Sequence, residues 1–293
     1  MPCLQTIELK IRELLLRYSR IPQRVHFDQT IAQNICRKIE KWAGPVGRRL
    51  ILDFGCGAHY PNTWSLHNMG FNVVGVDIVE FQHSNAFRAV QRAVRAMQSH
   101  TESETPVHVV DQWLYTRIYH RIARHLGSNE LNRPLMLVTY DGSHLPFSDA
   151  SFDLFFSMDV FEHVQDVPQA IAELERVTKP GGVGLVEIHL FSSLSGAHNL
   201  LYSVNGSVSL PPRIEPWDHL RKQRVPVPPQ AGLNRWRLAQ FLAAFEARFE
   251  ILDWERSEEG ADLLTPEIRA ELADYSEEEL LTRTVTAVLR RQQ

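Results

Sequence analysis

The chain has 293 residues, 44% of them apolar and 23% charged, the balance of a globular protein with a sizeable buried core. A net charge of −4 supplies no global basic field for nucleic acid or an anionic membrane. Cys3, Cys36 and Cys56 are too few for a disulfide framework and fit a reducing compartment. Glu8, Lys10, Arg12 and Glu13 interrupt any signal-peptide core, and no apolar run approaches the ~18–20 residues that span a bilayer. A cytoplasmic protein without a membrane span is expected.

Leu4, Ile7, Ile11, Leu14, Leu15 and Tyr18 recur at steps of three and four, which predicts an amphipathic helix over 4–18. Asp28 reads as the N-cap of a second helix, with Ile31, Ile35, Ile39 and Trp42 on one face and Gly44-Pro45 closing it. Residues 1–47 are therefore expected to form an N-terminal helical cap on one domain spanning 48–293. Leu50-Ile51-Leu52 is a short continuous apolar run, a strand buried on both faces, which stops at Asp53 and enters Phe54-Gly55-Cys56-Gly57-Ala58-His59. A weak helix from Trp64 to Met69 ends at Gly70, and Val73 to Val76 forms a second strand ending on Asp77.

Leu135–Tyr140, Phe152–Met158 and Val183–Leu190 read as strands three to five. A helix runs from Pro168 to Val177, and Lys179-Pro180-Gly181-Gly182 is a sharp turn before strand five. A helix over 234–245 and strands at Phe249–Trp254 and Thr284–Leu289 complete the chain. This alternation predicts an α/β fold, a doubly wound sheet that is mostly parallel with an antiparallel C-terminal edge strand pair.

Two stretches exceed ordinary loop length, 80–134 and 191–233, and are expected as insertions. The first carries Arg88, Arg92, Arg95 and Arg117, Arg121, Arg124 at helical spacing, suited to an anionic acceptor or to a solvated face. The second holds Pro211-Pro212, the Pro-rich run 225–229 and Trp217-Asp218-His219-Leu220-Arg221. That last group reads either as an aromatic platform or as a packed loop.

A glycine-rich turn between a buried strand and a helix lets backbone approach a ligand closely and aims free N–H groups at its anionic parts. Asp77, 24 positions after Asp53, stands where a second strand's acid grips a ribose diol, so adenosine over the strand tips is one reading and a tight turn with solvated acids is the other. NAD fits poorly, because the third small position of the dinucleotide fingerprint is Tyr60.

Six segments occur in a telling order. They are Ile51 to Gly57; Val74-Gly75-Val76-Asp77; Asp141 with Leu145-Pro146-Phe147; Ser151-Phe152-Asp153; Phe161-Glu162-His163-Val164; and Glu175 to Gly182. Over residues 48–190 the chain resembles the class I S-adenosylmethionine-dependent methyltransferases, type 11-like, with a Rossmann-like sheet. The resemblance implies S-adenosyl-L-methionine as cofactor. It implies that Gly55 and Gly57 wrap the methionine end, Asp53 meets the ammonium, Asp77 takes both ribose hydroxyls, Asp141 and Gly142 flank adenine, and Ser157 to Asp159 close over the methionine moiety. Many members carry a third glycine where His59 stands, so His59 either crowds the cofactor or is a bulky turn residue. Cys56 is expected to pack, and Asp153 to stabilise the entry to strand four.

For an oxygen acceptor a nearby base assists by taking the proton. The candidates are Asp159, Glu162, His163, His189 and His198, with His189 and His198 foremost as catalytic residues. The expected acceptor is a small-molecule or glycan-like compound, a saccharide or a lipid-linked intermediate, methylated on oxygen. A catalytically silent cofactor-binding scaffold is the alternative. Nucleic acid is not expected, since Ser157-Met158-Asp159-Val160 replaces the Asn/Asp-Pro-Pro-aromatic signature after strand four. Glu277-Glu278-Glu279 after Ser276 is a capping pattern, and no metal site is read from the sequence.

Overall fold

The structure, a computed structural model, describes residues 18–79, 81, 113–122, 134–198, 201–202, 208–209, 214–221 and 232–293. Two compact units divide the chain, Met1–Arg37 with Val46–Tyr140 and Lys38–Pro45 with Asp141–Gln293. The main sheet is seven-stranded and mostly parallel with an antiparallel C-terminal pair, the α/β architecture that the alternation predicts. Among the described residues no helix is long and apolar enough to cross a membrane.

In the first unit, β1 (Leu50–Phe54), β2 (Asn72–Asp77) and β3 (Met136–Thr139) run parallel in the order β3-β2-β1, with Leu52 opposite Val74 and Val76 opposite Val138. The apolar runs of β1 and β2 are buried along almost their whole length, as strands covered on both faces must be. Helix α1 (Ile21–Ala43) is a single element, and Asp28 lies inside it rather than at its N-cap. The carboxylate is 1% exposed and is held by Arg24, one turn earlier, and by the Tyr119 hydroxyl at 2.7 Å. Tyr119 belongs to α3 (113–122), where Ile21, Val25 and Tyr119 share an apolar cluster. A non-local partner, absent from any local pattern, thus sets the place of this acid. The helix predicted over 4–18 falls outside the described residues up to position 17, as do Arg88, Arg92, Arg95, Arg124 and the two proline runs.

Helix α2 (Pro61–Asn68) starts on proline at its first turn, after Tyr60 in the left-handed region (φ 38°, ψ 51°). Gly70 follows the helix with φ 96°.

In the second unit, β4 (Phe152–Met158) and β5 (Thr178–His189) are parallel, and β5, β9 (Thr282–Arg291) and β8 (Phe249–Glu258) are antiparallel in turn. Strands β6 (Leu201–Tyr202) and β7 (Val208–Ser209) form a separate two-stranded ladder. Helix α4 (Val167–Val177) is capped by Asp166, whose side chain accepts from the Gln169 N–H at 3.0 Å. Lys179–Gly182 lies inside β5 as a looped bulge. Phe152 pairs with Thr178 and Leu154 with Val183, leaving four residues opposite Asp153, whose carboxylate holds the Lys179 ammonium at 2.7 Å. Asp153 thus stabilises the strand entry, as its position suggests.

Helix α5 (Asp218–Arg221) precedes α6 (Leu238–Glu246), α7 (Pro266–Glu271) and α8 (Glu277–Leu281). Residues 234–237 are not helical. The Asn234 side-chain amide donates instead to the Phe161 and Val164 carbonyls at 2.6 and 2.7 Å. Trp217 is no acceptor platform: it is 1% exposed in a cluster with Leu194, Ile268, Leu272 and Leu280. Its neighbours are structural too, His219 bonding the Phe191 carbonyl and Arg221 forking onto Glu271 at 2.6 and 2.7 Å.

Gly184 of β5 faces Phe155 across the strand pair, and a Cβ there would stand 2.0 Å from the ring. Gly184→Ala should cost about 1–3 kcal/mol by overpacking. The cost is read as a lowered denaturant midpoint at unchanged m-value; an unshifted midpoint would show that the ring has room to move.

Candidate functional site

Each unit presents its own group of chemistry-bearing residues. In the first, the turn after β1 is stitched to the tip of β2, with the N–H groups of Gly55 and Cys56 both reaching the Val76 carbonyl, at 2.9 and 3.1 Å. The Asp77 carboxylate takes the Gly57 N–H at 2.7 Å and the Val79 N–H at 3.1 Å, so one acid ties the turn to its own strand end. Gly55 and Gly57 have φ of 78° and 72°, a region that glycine enters without Cβ strain, and nothing stands within 4 Å of where a Gly57 side chain would begin. Beneath the turn the Cys56 thiol and Thr63 hydroxyl press against Gly75, where a Cβ would stand 2.8–2.9 Å from both. Burial pushes the Cys56 thiol up, and the charges of Asp53 and Asp77 add to this, so it packs rather than reacts.

Asp53, at 2% exposure, accepts from the Thr63 hydroxyl at 2.5 Å. Burial, and less strongly the charge of Asp77, push its pKa up to about 7, while the Thr63 bond pulls it down. A carboxylate placed here is out of water beside a charge of its own sign, an environment that suits a cationic ligand group. His59 turns to α3, its Nδ1 2.5 Å from the Thr116 hydroxyl and its ring edge-on to Tyr115 at 5.8 Å. It therefore acts as a turn residue that holds the described part of the first insertion. Arg117 lies over the Trp113 ring at 5.5 Å, and both line a cavity of about 770 Å³ with Tyr60, Trp64, His120 and Leu137.

In the second unit Asp141 opens an exposed loop and caps it with one oxygen, which accepts from the Ser143 N–H and hydroxyl, both at 2.8 Å, and from the His144 N–H at 3.0 Å. These bonds, the backbone ones foremost, hold its pKa down at about 2. Gly142 beside it has φ 87°. The same loop is fixed further on by Arg176, which donates to the Leu145 and Phe147 carbonyls at 2.9 and 2.8 Å. The motif residues Leu145, Phe147 and Arg176 are thus scaffold.

Ser157, at the end of β4, is fully buried, and its hydroxyl has no hydrogen-bond partner among the described residues. Asp159 follows with φ 53°. Although its side chain keeps contact with solvent, the atoms crowded round it and then the charge of Glu187 push its pKa up to about 6, against Arg283. Glu162 is 2% exposed and neither carboxylate oxygen has a well-formed hydrogen bond. Burial and then Asp159 push it well up, and the amides of Glu162 and His189 offset this only in part.

Three histidines gather beside these acids. The His189 and His198 rings stack at 4.8 Å, and the His163 and His198 rings meet edge-on at 5.2 Å. His189 Nε2 lies 2.8 Å from the Ser195 hydroxyl, which in turn donates to Glu259 at 2.6 Å. Burial first, then neighbouring positive groups, hold His189 down at about 3; partial burial and His163 hold the more exposed His198 at about 4. Both imidazoles are neutral near pH 7. The sequence placed His189 and His198 as separate candidates; their contact, and the joining of Glu162 and His163 to them, is a product of the fold.

Residues 52–186 match the methyltransferase domain family. An uncharacterised methyltransferase of Mycobacterium tuberculosis is 40% identical over 68 residues, 23% of this chain and 27% of the relative. The malonyl-[acyl-carrier protein] O-methyltransferase of Serratia marcescens is 39% identical over 66 residues, 22% of this chain and 26% of that protein. The chain thus spans about a quarter of the length of the curated relatives it matches. The crystal structure described as a sarcosine dimethylglycine methyltransferase from Galdieria sulphuraria shares the fold, with a TM-score of 0.50 at 13% identity over 90% of this chain and 86% of that one.

Carboxyl NMR should find Asp53 titrating near pH 7 in the ligand-free protein, and Thr63→Val should move that midpoint higher by removing the bond that favours the charged form. A midpoint near 4 in either protein would contradict the burial argument.

Proposed function

We propose that this chain, whose residues 52–186 match the methyltransferase domain family, is a class I S-adenosylmethionine-dependent methyltransferase with S-adenosyl-L-methionine as its methyl donor, and that it methylates a hydroxyl oxygen of a small or medium-sized acceptor. When bound, the sulfonium supplies an activated methyl group and a neutral thioether leaving group. The protein's task is then alignment and exclusion of water. Asp77 receives the ribose hydroxyls on lone pairs left by its two backbone bonds. Asp53 faces the ammonium, Gly55 and Gly57 give the methionine end close access to backbone, and Asp141 with Gly142 borders the adenine edge. Ser157 and Asp159 border the methionine moiety. The buried Asp53 beside the charge of half-buried Asp77, and the open space above Gly57, support this assignment.

The observation that carries the oxygen acceptor is the cluster of neutral imidazoles at His189 and His198. An attacking hydroxyl becomes strongly acidic as the methyl–oxygen bond forms, so groups of low basicity suffice to relieve it of its proton. His198, the more exposed ring, faces the acceptor, and His189, fixed through Ser195 to Glu259, backs it. The Serratia relative is named an O-methyltransferase, which agrees with oxygen as the accepting atom. A saccharide or lipid-linked acceptor suits two insertions as long as 80–134 and 191–233 in a 48–293 domain that follows a cap over 1–47, and the enzyme is read as cytoplasmic.

Equilibrium dialysis with radiolabelled donor should show Asp77→Ala losing at least about tenfold in affinity, because two charge-assisted hydrogen bonds go. Wild-type affinity should fall by up to about tenfold per pH unit below pH 7, where Asp53 must shed a proton to meet the ammonium, and Asp53→Asn should flatten that dependence. With hydroxyl acceptors, His198→Ala should reduce S-adenosylhomocysteine release on the order of 10²-fold. Intact donor binding without release from any hydroxyl compound would sink the oxygen-acceptor reading.

A further inference from the structure

Glu162 poses a physical problem that methyl transfer alone does not explain. A carboxyl at 2% exposure, with neither oxygen well bonded, costs free energy unless a cation or a strong donor meets it. Asp159 and Glu187 add acidity on the same side, with Arg283 as the opposing cation among the described groups acting on Asp159. One oxygen of Glu162 and one ring nitrogen each of His163 and His198 lie within 4.8 Å of one another. We propose that Glu162, His163 and His198 bind a divalent first-row transition ion.

The donor set selects the ion class. Two imidazoles and one carboxylate suit zinc, manganese or iron, whereas magnesium and calcium prefer oxygen throughout. Bonds of about 2.0–2.2 Å put two ligands of one ion about 3.4 Å apart, so the widest pair closes by at most about 1.5 Å. His198 is exposed and supplies that movement. The other two ligands are adjacent in a turn that is already fixed: Asn234 grips the carbonyls of Phe161, Glu162 and Val164, by its amide side chain and its own N–H. His198 holds a left-handed backbone (φ 55°) and stacks on His189, which the Ser195–Glu259 pair anchors from behind. Three protein ligands leave open positions on the ion, as in sites where a metal meets a substrate oxygen.

The inference deepens the oxygen-acceptor reading and rests on it only for what the ion does. With an ion bound, its charge acidifies the acceptor hydroxyl, and His198 serves as ligand. The test begins with tag-free protein stripped by chelator and titrated with Zn²⁺, Mn²⁺, Mg²⁺ and Ca²⁺ by calorimetry, with metal content read by mass spectrometry. One Zn²⁺ or Mn²⁺ per chain should bind saturably and raise the melting temperature, with Mg²⁺ and Ca²⁺ at least tenfold weaker. Glu162→Gln and His198→Ala should each weaken binding at least tenfold while circular dichroism stays native. Cobalt(II) loading should give visible d–d absorption that His198→Ala removes. Absence of saturable binding in folded protein, or binding that survives both substitutions, overturns the proposal. If methyl transfer continues in chelator yet falls in His198→Ala, the ion is refuted and the imidazole reading stands. If the ion binds but no hydroxyl acceptor is methylated, the site stands and the acceptor reading falls.

Discussion

The grip of the Asp77 carboxylate on the Gly57 and Val79 N–H groups is the constraint that the first unit's chemistry depends on. A tight turn after a buried strand leaves several backbone donors out of water, and each must find an acceptor. Val76 satisfies two with one carbonyl, and Asp77 satisfies a third while anchoring its own strand end. The turn is therefore preorganised before any ligand arrives, and Asp53 is held beneath it by Thr63. Little ordering cost remains for binding to overcome.

The parts of this fold that were legible in the sequence are those whose cause is local. β1, β2 and β4 are apolar runs of strand length, and the N-cap at Ser276 sits directly before its helix, where its side chain accepts from the N–H three residues on. Asp28 shows where this ends. It stands before an apolar period and so resembles a cap, yet its decisive partner is Tyr119, 91 positions away. Lys179–Gly182 reads as a turn because of its proline and glycines, and it does fold back on itself, but as a bulge between pairing residues of β4 and β5.

The site was half legible in the same sense. Asp53, Gly57 and Asp77 were read as one group from turn chemistry and spacing, and the structure ties Asp53 through Thr63 and Gly57 through Asp77. The histidine cluster was not, because Glu162-His163 and His198 come from different loops and nothing in their spacing announces a meeting. Trp217 stays open in the sequence, since an aromatic among polar residues in a Pro-rich stretch reads as a binding platform or as packing, and burial against Leu194 and Ile268 decides for packing. Both groups also share an energetic character. Asp53 and Glu162 are buried acids set beside like charge, arrangements that oppose folding and are enriched at functional sites.

The order of pairing in the second unit bears on how the molecule is made. β9 lies between β5 and β8 and contributes both ladders that join them. A nascent chain emerging from the ribosome therefore carries β5 and β8 with open edges until residue 291 has left the exit tunnel. Those edges are templates for intermolecular pairing until β9 closes both of them.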